Sequence, residues 1–130
     1  MTKEQKEKVK KLLSNYKTMK EQIECINYEI DLLKNHIEFL KDLRDTESSI
    51  IERNNEIEHK KDIKKRLEGC INSIDNALNE LSDTERKIVE LRYLEREKYT
   101  LKEISIIVGY SSDYCRKEML DKILKIIFTN

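Results

Sequence analysis

The sequence predicts an all-α protein in which long N-terminal helices, paired as a coiled coil or a helical hairpin, precede a C-terminal helix-turn-helix domain. Three observations predict this fold class. The 130 residues include two glycines and no proline, so few positions can make the tight turns of a multi-stranded sheet. Charged residues make up 40% of the chain and aromatic residues 6%, which does not suit a large β core. Apolar residues recur at helical spacing along most of the chain.

A first helix is predicted over residues 3–43, where apolar residues alternate in steps of three and four. They form a heptad register with two seam positions, and four or more such heptads favour a coiled coil. At about 1.5 Å per residue this helix would be a rod roughly 60 Å long. The seam consists of Val9, Leu12, Tyr16, Met19, Ile23, Ile26, Ile30, Leu33, Ile37 and Leu40.

The pattern lapses at residues 45–49, and a second helix is predicted over about 50–80. This helix folds back on the first as a hairpin, or the first helix pairs with a copy of itself. In a hairpin only Ile51 and Ile57 would cover the later half of the seam, which is a poor match. Because the seam composition suits parallel self-pairing, we favour a homodimer through the N-terminal helices. An intrachain bundle with the same stripe as its core is the alternative.

The C-terminal third predicts three shorter helices. Ser82-Asp83-Thr84-Glu85 and Thr100-Leu101-Lys102-Glu103 are capping boxes, in which a hydroxyl and a glutamate three residues later bind the first amide groups. They begin a helix over roughly 83–96 and a shorter one that ends before Gly109, which suits a left-handed C-cap. A serine pair then caps the last helix. The chain is therefore divided into an arm, residues 1–80, and a helix-turn-helix domain, residues 81–130.

Two helices that meet across a tight glycine-containing turn are the signature of a helix-turn-helix. In such motifs the exposed start of the second helix enters the major groove of double-stranded DNA. The residues expected to pack between the two helices are Ile104, Val108, Tyr110, Cys115 and Met119. The candidate DNA-binding residues are Lys102, Ser111, Ser112, Asp113, Tyr114, Arg116 and Lys117.

Each of these candidates has an expected role. Arg116 reads guanine through two hydrogen bonds or grips a phosphate, and Lys102 and Lys117 contact phosphates. The two serines donate to phosphate or base. Asp113 accepts from cytosine or is a second helix cap, and we favour the cap because a carboxylate beside the DNA backbone is repulsive.

The charges are balanced, with 26 lysines and arginines against 26 aspartates and glutamates. Residues 1–80 carry 16 basic and 17 acidic groups, and residues 81–130 carry 10 and 9. A protein that binds nucleic acid alone usually has a basic surplus, because phosphate contacts supply most of its affinity. We therefore expect the affinity to be supplemented by a partner or by dimerisation.

Other classes of protein are less well supported. The chain offers no nucleophile, paired acids or metal cluster, so an enzyme is the least favoured class and neither metal nor cofactor is expected. Cys25, Cys70 and Cys115 are too far apart to imply disulfides, and we expect Cys25 to be exposed and the other two to be buried. No apolar run could span a bilayer, so we expect a cytoplasmic protein without a membrane partner.

Two stretches of the C-terminal third form a recognisable pattern. The first contains Leu81-Ser82, Glu85-Arg86, Ile88-Val89 and Leu91-Arg92-Tyr93. The second contains Thr100-Leu101-Lys102-Glu103-Ile104-Ser105 and Val108-Gly109-Tyr110-Ser111. Over residues 81–127 this pattern resembles region four of sigma-70-type factors. Ser105 stands where that family usually has Ala, and Cys115 where it usually has Val or Ile. The resemblance implies a promoter-binding helix-turn-helix, held on DNA with the help of RNA polymerase.

Residues 1–80 lack the aromatic-rich helix that melts promoters in full sigma factors. The long polar N-terminus and Tyr114-Cys115-Arg116 in the last helix instead resemble small phage and prophage regulators of the ArpU/RinA type. This resemblance implies a phage-encoded regulator of late genes, acting at the nucleoid of a low-GC Gram-positive host. Two alternatives stay open: an adaptor or antagonist that occupies the region-four site on RNA polymerase, and a phage DNA-packaging adaptor.

Overall fold

The structure is a computed structural model that describes residues 2–129, apart from the side chain of Glu118. Its described residues form helices and connecting turns, which confirms the all-α fold class with long helices before a helix-turn-helix. The helices are α1 (Lys3–Ser14), α2 (Tyr16–Lys41), α3 (Glu47–Asn79), α4 (Asp83–Val89), α5 (Leu101–Val108), α6 (Ser112–Tyr114) and α7 (Asp121–Thr129). π-Helical segments continue α4 over Glu90–Leu94 and join α6 to α7 over Cys115–Leu120.

The chain divides into two compact units. The hairpin unit comprises Met19–Cys70, and the terminal unit comprises the residues up to Thr18 together with those from Ile71 onward. Helices α2 and α3 contribute to both units. These units are not the arm and the helix-turn-helix domain that the sequence predicts on either side of residue 80. That boundary stays a prediction about which part of the chain carries which function.

The hairpin unit is formed by α2 and α3, which are joined by residues 42–46. Its core contains Ile30, Ile37 and Ile57, with Ile26, Leu33 and Ile50 packed against them. The first and second helices therefore do pack against each other within one chain. Along the hairpin unit, residues of α3 cover the heptad seam of α2. The homodimer stays a prediction.

Ile50 rather than Ile51 covers the seam, so the expectation for Ile51 was wrong. Ile50 precedes the buried Ile57 by seven residues and so shares its face of α3, whereas Ile51 points outward and is exposed. The turn before them is fixed by Thr46, whose hydroxyl donates to the Leu40 carbonyl over 2.7 Å. Asp45 has a left-handed φ of 59°, a conformation that Asp tolerates better than most residues.

The predicted continuous helix over residues 3–43 was also wrong, because it is interrupted at Asn15. This residue ends α1, and its amide group donates to carbonyls of the preceding turn. Asn is a weak helix former because its side chain competes for backbone hydrogen bonds. The break lets α1 belong to a different unit from most of α2.

The terminal unit places the first helix against the last. Helix α1 contacts α7 and the π-helical turn after α4, and Lys6 pairs with Asp121 over 3.1 Å. Tyr16 donates to Asp75 over 2.6 Å, which joins the start of α2 to the end of α3. The largest fully buried side chains of the core are Leu13, Ile74, Ile88, Val89, Ile104, Cys115, Ile123 and Leu124.

The cysteines are placed partly as expected. Cys25 is exposed and Cys115 is buried, but the expectation that Cys70 is buried was wrong. Ile71 and Ile74 occupy the inward face at this end of α3, which leaves Cys70 exposed. Among the described residues no helix is long and apolar enough to cross a membrane, and no three His, Cys, Asp or Glu side chains are placed to hold a metal ion.

Candidate nucleic-acid interface

Helix α4 supports the helix-turn-helix and is fixed by the first predicted capping box. The Glu85 amide donates to the Ser82 hydroxyl over 3.2 Å, and the Ser82 amide donates to the Glu85 carboxylate over 3.0 Å. The other carboxylate oxygen of this buried glutamate lies 3.3 Å from the ammonium group of Lys122 on α7. The hydrogen bond from Ser82, helped by Lys122, lowers the pKa of Glu85 below its ordinary value.

Glu85→Gln is expected to make stability less dependent on acid pH. Because the pKa of Glu85 is lower in the folded state, its carboxylate stabilises the fold above the unfolded pKa of about 4.3, and this stabilisation is lost as pH falls through the folded-state pKa. The substitution should lower the free energy of unfolding by about 0.5–1 kcal/mol at pH 7. Urea unfolding at pH 7 and pH 3 measures the difference.

The difference in stability between the two proteins should be smaller at pH 3 than at pH 7. Glu103→Gln, in the second and solvent-exposed capping box, is the control and should have a smaller effect. A destabilisation by Glu85→Gln that is the same at both pH values would show that the charge is not responsible.

The connection from α4 to α5 is held by side chains that bind backbone carbonyls. Lys98 donates to the carbonyls of Tyr93 and Glu95 over 2.5 and 2.8 Å, which caps the end of the π-helical turn. Arg92 donates to the Tyr99 carbonyl over 3.1 Å. The predicted helix over 83–96 thus ends at Leu94, and two of the basic residues near the motif have structural partners.

The helix-turn-helix has the predicted local geometry. Thr100 and Glu103 form the second capping box, and Gly109 is a left-handed C-cap with φ 83°. The Ser111 hydroxyl accepts from the Tyr114 amide over 3.1 Å, so Ser111 is the N-cap of the last helix. Two residues predicted to pack between the helices, Ile104 and Cys115, are fully buried. Val108 and Met119 are half-buried.

Gly109→Ala is expected to destabilise the protein, and Gly69→Ala to stabilise it. A side chain at φ 83° costs roughly 1–2 kcal/mol even though the space beside Gly109 is open. Gly69 lies within α3 with open space where a methyl group would stand, so alanine should add about 0.5–1 kcal/mol through its helix propensity. Thermal unfolding followed by circular dichroism compares both variants with the wild type. Two changes of the same sign would contradict this account.

The candidate DNA-binding residues lie at the start of α5 and at the start of the last helix. All except Ser112 are exposed: Lys102, Ser111, Asp113, Tyr114, Arg116 and Lys117. Ser112 is half-buried, and its hydroxyl donates to the Ser105 hydroxyl over 3.3 Å, which ties together the two helices of the motif. Their role in binding DNA stays a prediction.

The expectation that Asp113 is a second helix cap was wrong. The N-cap is Ser111, whose hydroxyl accepts from the Tyr114 amide. The Asp113 carboxylate instead accepts from the guanidinium group of Arg116 over 3.0 Å, one turn further along. The pair is exposed, so it is weak, and Arg116 can exchange the carboxylate for a DNA group at small cost.

Three exposed apolar side chains near the motif were missed. Tyr110, expected in the core, is exposed and stacks on Tyr114 with ring centroids 5.1 Å apart. Ile106 and Ile107 on α5 are also exposed, Ile106 at 76%. Ile106 follows the buried Ile104 by two residues and so lies on another face of the helix. This spacing could have predicted that Ile106 is exposed.

The two compact units differ in charge. The terminal unit contains 16 lysines and arginines against 13 aspartates and glutamates, whereas the hairpin unit contains 10 against 13. The difference arises because lysine-rich α1 belongs to the terminal unit. The helix-turn-helix is therefore part of a unit with a basic surplus, although the whole chain is neutral.

Residues 77–116 match the family model of sigma-70 region 4. The matched segment begins near the end of α3 and includes the first helix of the motif, α5, and the start of the second up to Arg116, but stops before Lys117 and α7. The resemblance to region four is thus confirmed over most of its expected extent. No curated protein and no solved structure matches the chain. The region-4 match supports a role as a DNA-binding regulator with a helix-turn-helix.

Proposed function

We propose that this protein is a transcriptional regulator that recognises promoter DNA through the start of its last helix. The observation that carries the proposal is a region-4 helix-turn-helix whose second helix begins with exposed polar and basic side chains. The basic surplus of the terminal unit supports it, because phosphate contacts supply much of the affinity of such proteins.

In this function the start of the last helix enters the major groove. Arg116 exchanges Asp113 for a guanine edge or a phosphate, and Lys102 and Lys117 contact phosphates. Ser111 caps the helix and keeps its first turn formed. Tyr114, held by its stack on Tyr110, offers a hydroxyl and a ring edge to the groove.

More specific proposals rest on the resemblance to ArpU/RinA-type regulators. They are a phage or prophage origin, action on late genes, assistance from RNA polymerase, and a location at the nucleoid in the cytoplasm of a bacterial host. A homodimer would place two helix-turn-helix motifs on two half-sites. Since α3 fills the seam along the hairpin unit, a dimer would have to use other residues.

A second candidate function is an adaptor that binds RNA polymerase without reading DNA. The exposed Ile106 and Ile107 favour it, because neighbouring apolar side chains on a short helix suit a protein contact. The described residues offer no comparable observation for a DNA-packaging adaptor.

The test is fluorescence anisotropy of the full chain on DNA fragments from its own locus, with and without host RNA polymerase. We expect selective binding that weakens from low to near-physiological salt. Absence of selective binding in every setting would contradict the proposal. Direct polymerase binding that is lost in Ile106→Ser/Ile107→Ser would then support the adaptor, with Ile51→Ser, an exposed isoleucine in the hairpin unit, as control.

A further inference from the structure

Helix α2 has two apolar faces in the hairpin unit. One is the seam that packs against α3. The other begins at Cys25 and continues at intervals of three and four residues, the spacing of one helix face. We call it the outer face, and its members are the apolar Cys25, Tyr28, Leu32 and Phe39 together with the polar His36.

The three large apolar side chains of the outer face are exposed. Tyr28 is 65% exposed, Leu32 50% and Phe39 62%. Leu43, just beyond the end of α2, is exposed as well. Single exposed apolar residues are common, but a row of them along one helix marks an interaction surface.

Acidic residues border this face along one side. Glu24 and Asp31 flank Tyr28 at four and three residues, and Asp42 follows Phe39 by three. All three are exposed. On the other side, Glu29 is paired with Lys60 of α3. The hairpin unit as a whole carries three more acidic than basic residues.

We propose that the outer face of α2 binds a basic amphipathic helix of another protein. An apolar stripe on that helix covers Tyr28, Leu32 and Phe39, and its flanking lysines or arginines meet Glu24 and Asp31. Helix pairs of this kind join through residues at three- and four-residue spacing, and their flanking charges select the partner. This partner is independent of DNA and adds a second interaction to the proposed function.

Charge also argues against a second copy of the chain as the occupant. An antiparallel symmetric pair joins the same side of both helices, so two copies paired in this way would bring one acidic border against the other. Like charges placed opposite each other suppress association, whereas a basic partner gains from the same residues.

The test uses a labelled synthetic 18-residue peptide with leucines on one helix face and lysines elsewhere, titrated with the full chain. A peptide with glutamates in place of the lysines is its control. We expect the lysine peptide to bind at least about tenfold more tightly than the glutamate peptide, with the preference falling at high salt. Leu32→Ser/Phe39→Ser should weaken lysine-peptide binding at least about tenfold.

Matched variants distinguish binding at the outer face from non-specific binding of the peptide elsewhere on the protein. Ile106→Ser/Ile107→Ser removes exposed apolar residues elsewhere and should leave peptide binding unchanged. Glu24→Gln/Asp31→Asn should remove most of the preference for lysine, whereas Glu52→Gln/Asp62→Asn, an equal loss of exposed charge on α3, should retain it. Circular dichroism checks that each variant keeps its helices.

Three outcomes would overturn the proposal. One is that the lysine peptide does not bind, and another is that Leu32→Ser/Phe39→Ser binds it as well as the wild type does. The third is a wild-type dimer in sedimentation equilibrium that this double variant converts to a monomer, because a second copy would then occupy the face. None of these measurements involves DNA, so they are separate from the test of the proposed function.

Discussion

Leu13→Ala is expected to lower the stability of the terminal unit by roughly 2–4 kcal/mol. The Leu13 side chain is 0% exposed, and it lies on α1, which packs against α7 and the π-helical turn after α4. Removing it leaves a cavity where the first helix meets the C-terminal part of the chain. The loss would show that α1 is part of the core that supports the helix-turn-helix.

The neighbouring residue provides a matched control. Leu12 is 37% exposed, so Leu12→Ala should cost less than about 1 kcal/mol. Because the chain has two compact units, a single unfolding curve can mix their transitions. Amide hydrogen exchange at Ile104 and Ile123, followed by NMR, reports the terminal unit separately. Equal small effects of both substitutions would mean that α1 contributes little to this core.

Arg116→Ala/Lys117→Ala is expected to weaken selective DNA binding by about 100-fold or more. One bidentate contact between arginine and guanine contributes about 1–3 kcal/mol of discrimination, and a lysine–phosphate contact adds affinity that depends on salt. If one of the two residues contacts a phosphate, the slope of log affinity against log salt should become shallower by about 1. Fluorescence anisotropy at several salt concentrations measures both quantities.

Part of this loss should come from Asp113. Once Arg116 is removed, the carboxylate of Asp113 has lost its partner and faces the DNA backbone. Adding Asp113→Asn to the double variant should therefore recover some affinity but no selectivity. Lys61→Ala/Lys65→Ala removes the same charge from exposed positions of the hairpin unit and is the control. Unchanged selectivity in Arg116→Ala/Lys117→Ala would mean that the last helix does not read the DNA.

Features of the fold that depend on neighbouring residues were predictable. The capping boxes at Ser82 and Thr100 and the left-handed Gly109 are local, so their residue types and spacing were sufficient. The partner of α1 was not predictable in this way. Its apolar residues continue the heptad pattern of α2, and only the break at Asn15 and the contacts with α7 separate the two helices.

The candidate site shows the same limit. Exposure of Arg116 and Lys117 followed from helix periodicity, and the structure agrees. The pairing of Arg116 with Asp113 was not predicted, although their three-residue spacing suits an ion pair on a helix, because Asp113 was expected to be a second cap. The basic surplus of the terminal unit could not be found by dividing the chain at one point, because this unit combines two separate stretches of sequence.

The packing of α1 against α7 has a consequence for the order in which the protein folds during synthesis. The hairpin unit can form once Cys70 has been translated, whereas α1 must wait for a partner more than 100 residues later in the chain. The unit that carries the helix-turn-helix is thus the last to close. A fragment limited to residues 77–116 would lack both α1 and α7. A terminal unit made without the hairpin unit would instead need a short linker from residue 18 to residue 71. The hydrogen bond from Tyr16 to Asp75 already holds these two parts of the chain together.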